Sequence, residues 1–443
     1  MADRKRDTLK RLTTGWAGRT LGATRMATSL GGSVLKKAVR AARHDEDEAL
    51  GHALVEHMDS MKGLMMKLGQ MASYLEGTLP PAAQAALQKL QQGSEPLPFE
   101  TIVAVVEEAF GRPLAEVFEA FEGDAIAAAS IGQVHRARVG ERPVVVKVQY
   151  PQIAKTMEVD LGNAERLGLL ATVGTKFDRH VVIQELRDRF REECDYLQEA
   201  ANTRHFATLF ADDAQVVIPG VLASRCRPTV LTTDFVQGLD FYTFREQASQ
   251  HEKDAAGEQL FSFAFRSIFA HSCFNADPHP GNYLFLPDGR VCFLDFGCVR
   301  YFSPDFVDGW KALARAVLSD RRADLPAAMH AAGFVGSRGF DFDYHWDVMQ
   351  YLYRPFKTAN FQYTHDYVAQ SYSIMVLKNP NHRKTAMPAE WVFANRLQWG
   401  LNSILALLGA SGDWPGLFRR WVDTPTIEGE RPAPLQPIDV EEP

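Results

Sequence analysis

Two short stretches constrain this chain most: Asn275-Ala276-Asp277-Pro278-His279-Pro280-Gly281-Asn282 and Leu294-Asp295-Phe296-Gly297. The first sets a carboxylate, Asp277, five residues before an amide, Asn282. The second adds another carboxylate, Asp295. Residues 283–286 and 291–294 read as short apolar strands, joined by the turn Pro287-Asp288-Gly289. A hairpin there places Asn282 beside Asp295, where both can face one metal ion. Alone, either stretch is an ordinary polar turn or strand end. In this order and spacing they form the pattern that holds Mg²⁺ around a transferable phosphoryl group.

With 443 residues, 46% of them hydrophobic, the chain can bury large cores, and two or three domains are expected. The net charge of −7 excludes nucleic-acid binding by bulk charge, but that charge is uneven. Residues 1–43 carry eleven Lys or Arg and two Asp, about +9. They read as a flexible solvated arm, an anionic-membrane-binding segment or an organelle transit peptide. Five cysteines without a CxxC pair fit a reducing compartment and argue against a zinc site or disulfide framework. With no run of eighteen apolar residues, no transmembrane helix is expected. A cytoplasmic protein, with peripheral membrane contact or organelle targeting, follows as the expectation.

Residues 44–76 show helical periodicity (Leu54, Met58, Met61, Met65, Leu68, Ala72, Leu75), and Pro80-Pro81 stops it. A short helix near 82–92 follows, and Pro96 and Pro98 mark a linker. From 101 the pattern is a helix, β-type segments at 125–128, 134–139 and 144–148, and a helical stretch from about 153 to 210. Strands at 216–221 and 229–236 come next, then mostly helix. Residues 392–408 read as an amphipathic helix. The division is thus a basic arm (1–43), a helical extension (44–100), a strand-rich lobe (101–238), a helix-rich lobe (239–423) and a disordered tail (424–443).

Three further features stand out. Lys147 interrupts the apolar strand Val144-Val145-Val146-Lys147-Val148, on the face opposite Val146 and Val148. It is either an edge-strand lysine that blocks aggregation or one that reaches nucleotide phosphates and is held by a helix carboxylate. Asp195 and Glu199 offer candidate carboxylates, one helical turn apart on one face, and either could meet Lys147. Next, Ala127-Ala128-Ala129-Ser130-Ile131-Gly132-Gln133 stands where a glycine-rich phosphate loop would precede that lysine. It reads as a stiffened nucleotide loop or as a plain strand end. Last, Lys67 lies in the Met-rich helix Met65-Met66-Lys67-Leu68-Gly69-Gln70-Met71, as a snorkelling lysine or a functional one.

Together these residues resemble the UbiB/AarF atypical kinase-like family over roughly residues 50–410. The marks are K-x-G-Q (Lys67, Gly69, Gln70), the alanine-rich loop (Ala127, Ala128, Ala129, Ser130), Lys147, E-x-D (Glu193, Asp195), Glu199, D-P-H-P-G-N and D-F-G. The resemblance implies an α+β, protein-kinase-like two-lobed fold with a helical N-terminal extension packed over the cleft. It implies binding of ATP and Mg²⁺, and ATPase or small-molecule kinase activity tied to quinone or other isoprenoid lipid metabolism at membranes. A quinone-precursor or lipid ligand is the implied partner. By its pattern Asn282 and Asp295 hold Mg²⁺, Lys147 pairs with Glu199, and Glu193 with Asp195 anchors Lys67. Asp234 falls at the hinge, where its backbone meets adenine. Asp277 orients water or a lipid-like hydroxyl. Two points strain the match. Residues two apart on a regular helix point about 200° apart, so Glu193 and Asp195 cannot both face Lys67 from one. Asn275 stands where a His is common, which weakens the support behind Asp277. No A-P-E follows D-F-G, so no peptide-gripping segment is expected; a true protein kinase and an inactive ATP-binding scaffold are the alternatives.

Overall fold

The computed structural model describes residues 96–437, apart from 129–130, 156–157, 160–186, 188–189, 382–383 and 387. The basic arm and the K-x-G-Q helix, with Lys67, Gly69 and Gln70, lie outside the described residues, as do Ala129 and Ser130. The chain divides into two compact units. Unit 1 takes the described residues up to Tyr196 together with Arg227–Leu231, and unit 2 takes Leu197–Cys226 and Thr232 onward.

Unit 1 begins with helix α1 (Phe99–Phe110), which buries Ile102 and Val106, four residues apart on one face. Gly111, left-handed at φ 70°, closes it by donating its N–H to Glu107 O at 2.8 Å. Strands β1 (Ala120–Ala128), β2 (Gly132–Val139) and β3 (Arg142–Gln149) form an antiparallel meander, and β5 (Val230–Asp234) joins β3 in the order β1-β2-β3-β5. Alternation in β3 decides its faces: Val144, Val146 and Val148 are buried, while Val145 and Lys147 are half-buried. Burial of each valine contributes about 1.5–3 kcal/mol.

The alanine-rich stretch begins as the strand end that the β-type segment at 125–128 anticipated. Ala127 and Ala128 complete β1, paired with Val134 and Gln133. The ladder continues there because the β2 backbone offers partners that a free loop would lack.

Unit 2 holds a four-stranded sheet in the order β4-β9-β8-β6, built from β4 (Val216–Val217), β6 (Leu239–Asp240), β8 (Tyr283–Phe285) and β9 (Val291–Phe293). A two-stranded ribbon pairs β7 (Cys273–Asn275) with β10 (Val299–Tyr301). These short strands escape periodicity because three residues carry too little pattern. Helix α2 (Tyr196–Leu209), apart from its first residue, belongs to this unit rather than to the strand-rich one. After α3 (Phe241–Gln247) comes α4 (Gln250–His271), which starts on a Ser249–Glu252 capping box and buries Phe261, Phe265, Ile268 and Phe269. Then follow α5 (Pro304–Leu318), α6 (Ala389–Leu408) and α7 (Trp414–Asp423). Trp399 of α6 meets the Tyr372 ring edge-on at 5.6 Å.

The tail expected to be disordered is laid down against unit 2 as far as Leu435. Ile427 N–H donates to Ala270 O at 2.9 Å, Leu435 N–H to Leu197 O at 3.0 Å, and Leu435 is buried. Its proline content misled the composition reading. Prolines disfavour regular structure but also lower the entropy lost when an extended segment docks.

Burial lowers the pKa of His135, His205, His271 and His345 below 6.5, His345 to about 4. The folded state therefore refuses protons that the unfolded chain accepts. Stability from this source is present above about pH 6.5 and is lost as pH falls, by at most about 1.4 kcal/mol per pH unit for each histidine. Denaturant unfolding at pH 7.5, 6.0 and 5.0 is expected to show the decline, with His345→Phe flattening it. A decline of equal slope in that variant would remove His345 from the account.

Candidate active site

The D-P-H-P-G-N and D-F-G stretches meet in unit 2 because two ladders bracket them. On one side Asn275 of β7 lies opposite Val299 of β10, and Ala276 N–H donates to Cys298 O at 2.7 Å. On the other side the β8–β9 hairpin turns through Gly289 (φ 88°). Its ladder extends one bond further, Leu294 N–H to Asn282 O at 3.0 Å. Asn282 and Asp295 thus end adjacent strands.

Side-chain hydrogen bonds then set the orientation of each group. Asn282 Nδ2 donates to the Asp277 backbone O at 2.9 Å and to its Oδ2 at 3.3 Å. A carbonyl can only accept, so the amide nitrogen must face Asp277, and Asn282 Oδ1 is turned the other way. Asp295 Oδ1 accepts from Gly297 N–H at 2.9 Å. His279 Nδ1 accepts from Gly281 N–H at 3.1 Å and shapes the turn ahead of Asn282.

Asn275 reverses an expectation. Its Nδ2 donates to the Asp295 backbone O, and its Oδ1 accepts from Asp277 N–H at 3.3 Å. One short amide thus clamps both carboxylate-bearing segments, so it supports Asp277 rather than weakening its support.

Helix α2 supplies the next layer. Glu199 is 2% exposed, and its Oε2 lies 3.5 Å from where a Cβ on Gly297 would stand. Asn202, one turn later on the same face, donates from Nδ2 to Phe296 O at 2.9 Å. The Phe296 ring, fully buried, packs on Phe206 with centroids 4.9 Å apart. Asp295 is therefore held from its own carbonyl, from Gly297 and, through Phe296, from α2. Asn202 was not singled out in the sequence, although its i+3 spacing from Glu199 was visible. Gly400 gave no signal at all: a Cβ there would lie 2.2 Å from Pro278 Cγ, so α6 presses directly on the loop that carries Asp277.

The E-x-D element is irregular. The helical stretch ends at Glu193, Cys194 is a turn, and Asp195 lies outside any helix, just before α2. Cys194 N–H donates to Phe190 O and Asp195 N–H to Glu192 O, at 3.0 and 3.1 Å. The expected placing of Asp195 and Glu199 on one helix face is corrected accordingly. With the helix broken there, the 200° separation of a regular helix no longer applies to Glu193 and Asp195. It is pinned by Gln149 of β3, whose Nε2 donates to Cys194 O at 2.7 Å and to Pro228 O at 3.2 Å.

Within unit 1, Lys147 Nζ stands 5.0 Å from the centroid of the buried Tyr196 ring. Such a contact holds an ammonium without neutralising it. A Cβ on Gly132 would fall 2.3 Å from Val148 O, so only glycine lets the chain enter β2 here. Asp234 N–H donates to Gly220 O at 2.9 Å.

The donor set fits Mg²⁺. It consists of hard oxygens, one carboxylate and one amide carbonyl, which suits a small cation that completes its octahedron with phosphate and water. Among the described residues no group of three His, Cys, Asp or Glu forms an all-protein metal cage. Also among them, no helix is long and apolar enough to cross a membrane.

Fold and site together define a protein-kinase-like α+β architecture, and comparison with known proteins gives the family. The family model for the ABC1 atypical kinase-like domain matches residues 89–325, more than half of the chain. The chain therefore belongs to the ABC1, or UbiB/AarF, atypical kinase-like family. It is 28% identical over 381 residues to the atypical kinase COQ8, mitochondrial, of Saccharomyces cerevisiae, covering 83% of this chain and 75% of that one. It is 33% identical over 272 residues to ACTIVITY OF BC1 COMPLEX KINASE 8, chloroplastic, of Arabidopsis thaliana, covering 59% of this chain and 36% of that one. The matches span 36%, 38% and 50% of the length of three curated relatives. A solved Mycobacterium tuberculosis structure, Rv3197 with erythromycin, superposes with a TM-score of 0.63 at 27% identity, covering 84% of this chain and 97% of that one.

Proposed function

We propose that this chain is a Mg²⁺-dependent ATP-binding enzyme, an ATPase or small-molecule kinase acting in quinone or other isoprenoid lipid metabolism. The observation that carries the reading is the convergence of Asp277, Asn282 and Asp295, clamped by Asn275 and backed by Glu199. When bound, Mg²⁺ with ATP supplies a transferable phosphoryl group and neutralises its charge. Asp295 and Asn282 Oδ1 would hold the metal, and Lys147 takes phosphate charge. Asp277 orients a hydroxyl, of water or of a lipid-like acceptor, and receives its proton on the carboxylate. Ala127, Ala128, Ala129 and Ser130 line the nucleotide by family resemblance, with Asp234 at the adenine. The same resemblance gives Glu193 and Asp195 to Lys67 and Glu199 to Lys147. The acceptor class rests on the family and on the relative named COQ8; anionic-membrane contact rests on the basic arm.

The deciding experiment is ATP hydrolysis by the purified chain, with Mg²⁺ or EDTA, anionic liposomes and quinone-precursor analogues. Mg²⁺-dependent turnover raised by liposomes or analogue is expected. Absence of turnover in every condition would leave the inactive scaffold as the reading.

A further inference from the structure

The segment after α7 does more than end the chain. Lys311 of α5, 2% exposed, anchors its start by donating from Nζ to Thr424 O at 2.6 Å, Thr426 Oγ1 at 2.7 Å and Phe269 O at 2.8 Å. The segment then passes the α4–β7 junction. There Ile427 N–H donates to Ala270 O at 2.9 Å, and Ser272 Oγ donates to Ile427 O at 2.8 Å. Gly429 runs so close that a Cβ would lie 2.4 Å from His271 O. The segment finishes on the first turn of α2. Gln198 Nε2 donates to Pro432 O at 3.1 Å, Leu435 N–H donates to Leu197 O at 3.0 Å, and the Leu435 side chain is buried. Pro425, Pro432 and Pro434 hold it extended at low entropic cost.

The two ends of this path matter. One is the residue before β7, which leads into Asp277. The other is Leu197-Gln198, immediately before Glu199. We infer that residues 427–435 are a positioning strap, which sets α2 so that Glu199 and Asn202 meet the D-F-G segment. The catalytic consequence rests on the proposed function; the mechanical one does not. The strap acts through α2 and touches no reacting atom.

Two changes to the full chain test it. The first ends the protein after Thr426, retaining both contacts to Lys311. The second, Gly429→Ala, lifts the strap by a clash with the His271 carbonyl and deletes nothing. Amide hydrogen exchange across residues 197–203 should quicken about tenfold in both, while α5 and α7 stay protected. ATP turnover should fall about tenfold in both, the truncated chain should also melt lower because it loses the buried Leu435, and a peptide of residues 427–443 added in trans should restore exchange and turnover to the truncated chain. Unaltered α2 exchange in Gly429→Ala overturns the strap, even if the truncated chain fails to fold. Should the wild-type chain hydrolyse no ATP, the functional reading fails, and the exchange rates still decide the strap.

Discussion

Asp295→Asn is expected to abolish the Mg²⁺-dependent stabilisation of the protein by ATP and to lower turnover by more than about 100-fold. Losses of that order follow from disturbing groups that merely support a metal ligand, and here a charged ligand itself is removed. The fold should survive. Asparagine has the same shape, and its Oδ1 can still accept from Gly297 N–H as Asp295 Oδ1 does at 2.9 Å. Phe296 remains buried against Phe206, and Asn275 still bonds the backbone carbonyl at 295. In the wild type, ligand at 100 times its Kd should add about 2.7 kcal/mol to stability. A thermal-shift titration with MgATP and with ATP plus EDTA reads the difference. If the variant keeps the full Mg²⁺-dependent shift, Asp295 is not the metal ligand.

Gly400→Ala carries the second large effect, at a position that sequence alone would rank as neutral or helpful. In a helix interior Ala is better than Gly by about 0.5–1 kcal/mol. Here the added Cβ would stand 2.2 Å from Pro278 Cγ and 3.3 Å from Pro278 Cβ. The proline ring cannot rotate away, so the loop carrying Asp277 must shift by roughly an ångström, a displacement that can cost about 100-fold in rate. We expect kcat to fall by about that factor with little change in melting temperature. Adding Pro278→Ala removes the atom in conflict and should restore part of the rate. Wild-type kcat in the single variant would show that the loop yields without consequence.

These two cases mark what sequence reading could name and where it stopped. Asp277, Asn282 and Asp295 were legible because their chemistry requires fixed residue types at fixed local spacing. The hairpin between them was legible because Pro-Asp-Gly between apolar runs is a strong turn signal. The β2 and β3 segments and the core-facing valines followed from period-two alternation. The E-x-D conflict could be stated from helix geometry, but its resolution, a break at Cys194-Asp195, depends on Gln149 arriving from β3, 45 residues away. The ribbon of β7 and β10 was invisible because neither three-residue strand has a pattern without its partner.

The sequence by itself determined which groups could do the chemistry, and through local spacing it determined how Asn282 and Asp295 come together. Only the tertiary structure decided what holds them still. Asn275 as a clamp, Asn202 on Phe296, Gly400 beneath Pro278 and a docked tail against α2 all depend on contacts between residues 20 to more than 200 apart in the chain. Such contacts leave no periodicity in one sequence, because each is set by where separate elements pack, and packing reads shape and distance rather than order along the chain.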